Sequence, residues 1–392
     1  MRFARRTHQQ SATIFDELLT HLQDPDMISF SGGFPASSLL PQRELGDCAQ
    51  AIFKDHASQA LSYNSTQGYY PLRQWIVERY KKIHDLDLDP SEILITTGSQ
   101  QGIDLLSKVF LDPMDHILVE SPSYLGALQA FNQYEPRIHD VKLNENGIDV
   151  SQLMTYIRSY HPKLIYMVPN FQNPTGICYT QENKESVVQN VKAYDVILVE
   201  DDPYGELRYE GKKVPLFKSY LPNQSIILGT FSKLVSPGMR IGWMVAPKPI
   251  MEKLYAAKEA SDLHTSALDQ HILYHYLSHY DYDGLIQTAI NHYRQRRDWI
   301  LEAILKHFPR DVKVSHPEGG MFIWCTLPNG MSAMNVFRQA ITLKVLIMPG
   351  MVFYHQESDD HSFRLSFTSV DQTQINEGIS RLGALLRSHT HP

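Results

Sequence analysis

Residues 225–243 read SIILGTFSKLVSPGMRIGW. Ser225 to Thr230 form a short run of apolar and small residues, and a second run opens at Ile241. Continuous apolar runs of this length are the pattern of strands buried on both faces. Between them lies a loop rich in Ser, Pro and Gly that carries an amine, Lys233, and a guanidinium, Arg240, seven residues on. The hydroxyls of Thr230 and Ser232 stand just before the lysine. A lone lysine after a strand is commonly a solvated surface residue. An arginine opening an apolar strand is out of place unless it faces an anion. Two hydroxyls and a guanidinium beside an amine describe a phosphate pocket with a nucleophile next to it. A neighbouring cation and partial burial would lower the amine's pKa, so that it forms a Schiff base near neutral pH.

Working outward, similar β-rich runs recur from about residue 90: EILIT (92–96), DHILVE (115–120), LIYMVP (164–169), VILVED (196–201) and IGWMVA (241–246). Helical patterns such as QQGIDLLSKVF (100–110) and SYLGALQAF (123–131) separate most of them. This alternation predicts an α/β fold with a mostly parallel central sheet and helices on both faces. Ligands then bind in the loops beyond the carboxyl ends of the strands. After about residue 247 long amphipathic helices dominate, in KPIMEKLYAAKEA (248–260) and INHYRQRRDWILEAILKHF (290–308). Short strands, GMFIWCTL (320–327) and FRLSFT (363–368), flank a helix MNVFRQAITLK (334–344). The chain therefore divides into an N-terminal segment 1–45 packing on a smaller domain, a large domain 46–284, and a small α+β domain 285–392.

Composition excludes several classes. A formal charge of −7 over 392 residues, with no basic face, gives nucleic acid no purchase. Three widely spaced cysteines, Cys48, Cys178 and Cys325, fit a reducing compartment, hence a cytoplasmic location, and not a disulfide framework or a cysteine zinc site. No apolar run approaches the ~20 residues that a membrane span needs. The N-terminal arginines are not followed by the apolar stretch of a secretory signal, although the first acidic residue is Asp16, as in transit peptides. His271, His275 and His279 share a helical face, but without an interleaved carboxylate they read as an interface helix, not a metal site.

Three other strand-end loops carry chemistry. VILVEDDPYGEL (196–207) ends a strand on Glu200, Asp201 and Asp202. A carboxylate buried there must be paired, and a protonated heterocyclic nitrogen would pair it; a solvated acidic turn or a magnesium site is the equal alternative. VPNFQNPTG (168–176) is a turn in which Asn173 can point its amide at a ligand and Pro174 can be cis, or simply an ordinary turn. ILITTGSQQGIDLL (93–106) runs a strand into a helix whose first N–H groups, at Ser99 and Gln100, form an anion site. Ser99 can equally be only an N-cap. Neither a P-loop nor a G-x-G-x-x-G fingerprint is present.

Together these segments, in this order and spacing, resemble the class I/II aminotransferases of PLP fold type I, over nearly the whole chain. Within that class the chain is similar to the 2-aminoadipate and kynurenine aminotransferase group, through GSQQG, ESPSYLGAL, PNFQNPTG, EDDPYGELRY, GTFSKLVSPGMRIGW and HPEGGMFIW. The resemblance implies pyridoxal 5′-phosphate as cofactor, bound as an imine on Lys233, which then serves as general base. It implies that Asp201 pairs with the pyridine nitrogen, that Tyr204 and Asn173 hydrogen-bond the ring oxygen, and that Tyr124 stacks on the ring. Ser99, Gln100, Thr230, Ser232 and Arg240 would hold the phosphate, and Tyr63 would reach the phosphate of the neighbouring subunit in a homodimer with shared sites. Arg364, with Asn173 and the backbone at Gly33, would hold the substrate α-carboxylate. The implied reaction exchanges an amino group between an L-amino acid and a 2-oxo acid in two half-reactions; a β-lyase or decarboxylase on the same scaffold is the rival.

One departure concerns the substrate. Where the 2-aminoadipate group often has an arginine for the distal carboxylate, this chain has Ile14. That favours apolar or aromatic side chains over dicarboxylic ones.

Overall fold

The computed structural model describes residues 1–9, 18, 20–356 and 360–390. Ile14 lies outside these, as does most of the N-terminal helical pattern that surrounds it. The strands are β1 (Ile28–Ser29), β2 (Ile93–Thr97), β3 (His116–Ser121), β4 (Arg137–Asn144), β5 (Gly147–Ile148), β6 (Leu164–Met167), β7 (Ile197–Asp201), β8 (Ser225–Thr230), β9 (Ile241–Val245), β10 (Lys313–Val314), β11 (Phe322–Thr326), β12 (Val345–Leu346), β13 (Met348–Pro349) and β14 (Ser362–Ser366).

The central sheet has the order β2-β9-β8-β7-β6-β3-β4-β5. Strands β8, β7, β6, β3 and β4 are mutually parallel, and β9 is antiparallel to both β8 and β2. Alternation along each strand assigns the two faces. Val119, Tyr166, Val199 and Leu228 join one core with helices Gly98–Phe110 and Lys248–Asp262, while Leu118, Ile165, Met167 and Leu198 join another with Val150–Tyr160 and Gln181–Val191. The expected α/β layering and the mostly parallel sheet are both present. Strand β4, RIHDVKLN, was not expected: charges interrupt its alternation because it lies near the sheet edge, where one side is wet.

A second, antiparallel sheet has the order β10-β11-β14-β13, and Arg364 on β14 pairs with Trp324 of β11 and Met348 of β13. Strand β1 pairs in parallel with β12, so the N-terminal segment is tied to the C-terminal part of the chain. On the face of helix Ala267–His279, His271 stacks on Tyr69 at 4.0 Å and His275 on His279 at 4.1 Å. Among the described residues no helix is long and apolar enough to cross a membrane.

Candidate active site

The direction of the strands makes the site. The parallel strands point their carboxyl ends at one rim, and β9, running the other way, brings its first residue to that same rim. Register places Thr97 beside Ile241 and Thr230 beside Gly242. Ser99, Ser232, Lys233 and Arg240 therefore meet, although they come from three strand ends. A cavity of about 480 Å³ opens there, lined by Ser99, Gln100, Tyr124, Asn173, Asp201, Tyr204, Thr230, Ser232, Lys233, Arg240, Arg364 and Gly33. Of the residues expected in the site, Tyr63 alone lies outside it; it is 87 % exposed, its ring perpendicular to that of His264 with the ring centres 5.9 Å apart.

At one end of the cavity Arg240 donates to Ser232 Oγ at 3.3 Å, and Thr230 Oγ1 donates to the same oxygen at 2.9 Å. Helix Gly98–Phe110 begins against this group, so its free N–H groups and its dipole add to the cation. Gly98 has φ +74, and a Cβ there would stand 2.2 Å from Arg240 Nη2. Only glycine lets the guanidinium lie against the helix start. Ser99 sits inside the first turn, and Thr97 is the N-cap residue. The Gln100 side chain is committed to the Gly126 carbonyl at 2.6 Å, which leaves its backbone N–H for an anion.

In the middle stands Lys233, whose Nζ donates to the Gly33 carbonyl at 3.0 Å and lies 5.9 Å from the centre of the Tyr204 ring. Burial, then the Arg364 and Arg240 charges, push its pKa down to about 8, with Asp201 opposing. The free amine is thus a minor form near neutral pH, but a far larger one than for an ordinary lysine. The Tyr204 phenol's pKa is raised, chiefly by burial, with Arg364 and Asn173 opposing.

The acidic run separates into two faces. Glu200 points to the far face, where the fully buried Lys184 donates to it at 2.6 Å. Asp201 points to the cavity, with burial driving its pKa up to about 7. Its Oδ2 accepts from Tyr166 Oη at 2.6 Å, and its buried Oδ1 has no partner within the protein. More than one of the three acids is therefore buried, and the solvated acidic turn is not what forms.

At the far end Arg364 donates from Nη1 to Asn173 Oδ1 at 2.7 Å and from Nη2 to the Ser31 carbonyl. The rings of Phe322 and Phe353 flank it at 4.2 and 4.9 Å. Burial pushes its pKa down to about 10. Phe34, Leu125 and Met348 complete an apolar wall. The bond Asn173–Pro174 is cis. Its turn is braced by Gln172, which donates to Glu120 at 3.0 Å and to Pro122 O at 2.8 Å, and accepts from Thr175. Tyr166, Gln172 and Glu120 were not foreseen. The signal for the first was a hydroxyl inside the otherwise apolar strand LIYMVP.

These residues fit pyridoxal phosphate. A cation, two hydroxyls and a helix N-terminus suit a phosphate dianion; a buried carboxylate oxygen without a partner suits a protonated ring nitrogen; a poised amine suits an aldehyde. Among the described residues no group of His, Cys, Asp and Glu is arranged to hold a metal ion.

Comparison with known proteins agrees. Residues 36–382 match the family model of aminotransferases class I and II. The chain is 37 % identical over 391 residues to aromatic-amino-acid aminotransferase 1 of Thermococcus litoralis, covering 98 % of this chain and 94 % of that protein. The structure superposes on Pyrococcus horikoshii kynurenine aminotransferase, solved with PMP, with a TM-score of 0.95 at 37 % identity, covering 100 % of this chain and 98 % of the other. It also superposes on the alpha-aminoadipate aminotransferase of Thermus thermophilus complexed with N-(5′-phosphopyridoxyl)-L-leucine, with a TM-score of 0.92 at 35 % identity over 98 % of this chain and 97 % of the other. The chain belongs to the class I and II aminotransferases, a pyridoxal-phosphate-dependent transaminase of fold type I in the aminoadipate and kynurenine group.

Proposed function

We propose that this enzyme moves the amino group of an L-amino acid with an apolar or aromatic side chain to a 2-oxo acid, with Lys233 as its covalent anchor and base. The observation that carries this reading is the shared cavity of Lys233, the partnerless oxygen of Asp201 and the Arg240 hydroxyl cluster. The cofactor, when bound, supplies an electron sink for the substrate's Cα. The residues do the rest. Arg240, Ser232, Thr230, Ser99 and the N–H of Gln100 hold the phosphate, and Tyr124 covers the ring. Asp201 keeps the ring nitrogen protonated, while Tyr204 and Asn173 hold the ring oxygen. Arg364 grips the α-carboxylate, beside Asn173 and the Gly33 backbone. Freed by the incoming amine, Lys233 Nζ takes the proton from Cα. The amino group stays on the enzyme while the first 2-oxo acid leaves and the second enters, so the kinetics are ping-pong.

The side-chain preference rests on the wall. Among the described residues lining the cavity the cations are Lys233, Arg240 and Arg364, and all three are assigned. None remains for a distal carboxylate, and Phe34, Leu125, Met348 and Phe353 offer an apolar surface. Ile14 points the same way from sequence.

Assembly as a homodimer and a cytoplasmic location complete the reading. Leu61, Tyr63 and Leu263 are large, apolar and exposed, and Tyr63 touches His264 next to Leu263. An exposed apolar patch of this kind calls for a partner, and a second copy would receive Tyr63. Residues 46–284 and 285–392 are the two domains in this reading, with 1–45 on the smaller.

Borohydride reduction of the holoenzyme followed by peptide mapping tests the core of it. The label is expected on Lys233, and on another lysine it refutes the assignment. Rates with phenylalanine or leucine should exceed those with 2-aminoadipate; the reverse order refutes the substrate class.

A further inference from the structure

Asp201 and Tyr166 lie on adjacent parallel strands, β7 and β6. Their register pairs Tyr166 with Val199, so Asp201 is two residues further toward the rim. Two residues is one pleat repeat, and both side chains therefore project from the same face. A phenol is long enough to close that diagonal, and its Oη reaches Asp201 Oδ2 at 2.6 Å. The Tyr166 ring is fully buried, edge-on to Phe131 at 5.6 Å, so the hydroxyl cannot swing elsewhere.

An aspartate's terminal torsion is soft, with no sharp rotamer well. A carboxylate held only at its Cβ would turn. Here one oxygen is tied down and the other, Oδ1, is left without a partner on the cavity side. We propose that Tyr166 is a positioning residue of the cofactor site: its hydroxyl locks the Asp201 carboxylate so that Oδ1 alone faces the ring nitrogen. The inference rests on the reading that Asp201 meets that nitrogen. A donor on Oδ2 also favours the ionised carboxylate, in opposition to burial and to Asp202.

The probe is pyridoxamine phosphate, which lacks an aldehyde and cannot bond to Lys233. Its dissociation constant is measured by calorimetry on cofactor-free wild type, Tyr166→Phe, Asp201→Ala and the double variant. Loss of one hydrogen bond to a charged group corresponds to about 10-fold weaker binding for Tyr166→Phe. In the Asp201→Ala background the same change should add less than about twofold, since a residue acting through Asp201 has nothing left to position. Wild-type affinity in Tyr166→Phe overturns the proposal, and so do losses that multiply in full. If Asp201→Ala itself leaves affinity unchanged, the pairing of Asp201 with the ring nitrogen fails and the proposal falls with it. If Asp201→Ala weakens binding and Tyr166→Phe does not, the positioning role alone falls. Should Tyr166→Phe not fold, 3-fluorotyrosine at position 166 replaces it. Its fluorine resonance should move on saturation with pyridoxamine phosphate when Asp201 is present and stay put in Asp201→Ala; equal shifts in both overturn the proposal.

Discussion

Arg364 Nη1 binds Asn173 Oδ1 at 2.7 Å, joining the small sheet to a strand-end loop of the large one. The guanidinium is fixed between two aromatic rings, and its Nε is buried without a partner. The donor fork is therefore set by the protein itself, which in the proposed role would lower the ordering cost of binding a carboxylate.

Arg364→Ala should raise KM for every amino acid tested and lower kcat as well, with kcat/KM falling about 100-fold or more. Arg364→Lys should recover little, because an ammonium is a point charge and cannot reproduce the planar fork. Steady-state kinetics on three dissimilar substrates checks both statements. A loss confined to one of them would mean that Arg364 reads side chains.

Stability of the cofactor-free protein should depend on pH through the two groups that burial perturbs. Lys233 has its pKa lowered from 10.5 to about 8, so between those values the unfolded chain binds more protons and stability rises with pH. Asp201 has its pKa raised from 3.8 to about 7, so between those values the folded chain holds the extra proton and stability falls as pH rises. Urea unfolding across pH should show the first slope flattened in Lys233→Met and the second flattened in Asp201→Asn. Variant curves parallel to wild type would mean that neither charge is desolvated as described.

Gly98→Ala places a Cβ against the Arg240 guanidinium in a left-handed conformation. Fold stability should drop by about 1–2 kcal/mol and cofactor affinity by about 10-fold or more. Gly46 is the control: it lies within helix Gln42–Asp55, and a Cβ there meets nothing. Gly46→Ala should gain up to about 1 kcal/mol. Equal behaviour of the two variants in thermal melts and cofactor titration would contradict the described packing.

Behind the site, Lys184 and Glu200 form an ion pair with both side chains fully buried. Lys184→Met removes one charge and leaves the other in the core, which costs about 3–5 kcal/mol. Chemical denaturation should report that loss, and a change under about 1 kcal/mol would show that Glu200 finds another partner or takes up a proton.

The parts of the site legible in sequence were those where chemistry contradicts context. Arg240 opens an apolar strand, where it is out of place unless it faces an anion, whereas Asp201, inside a run of three acids, took its meaning only from the other loops. The small antiparallel elements were harder. The loop from Thr230 to Arg240 is too short for a parallel crossover, which needs a dozen residues or more; that clue to the direction of β9 is a matter of loop length and not of residue type. Tyr166 was hidden for the opposite reason to Arg240, because a tyrosine in a buried strand is normal core and only the register with β7 shows where its hydroxyl goes. Gln100 was legible as a position on the helix, but its side-chain partner, Gly126, depends on tertiary packing.

The pairing of Ile28–Ser29 with Val345–Leu346 has a consequence for biosynthesis. Ser31 and Gly33, whose carbonyls receive Arg364 and Lys233, follow directly on that first strand. A nascent chain emerging from the ribosome cannot seat them until its residues near 345 have also emerged. The pocket is thus closed by segments that lie far apart in the chain, and its Arg364 end takes shape only after both have emerged.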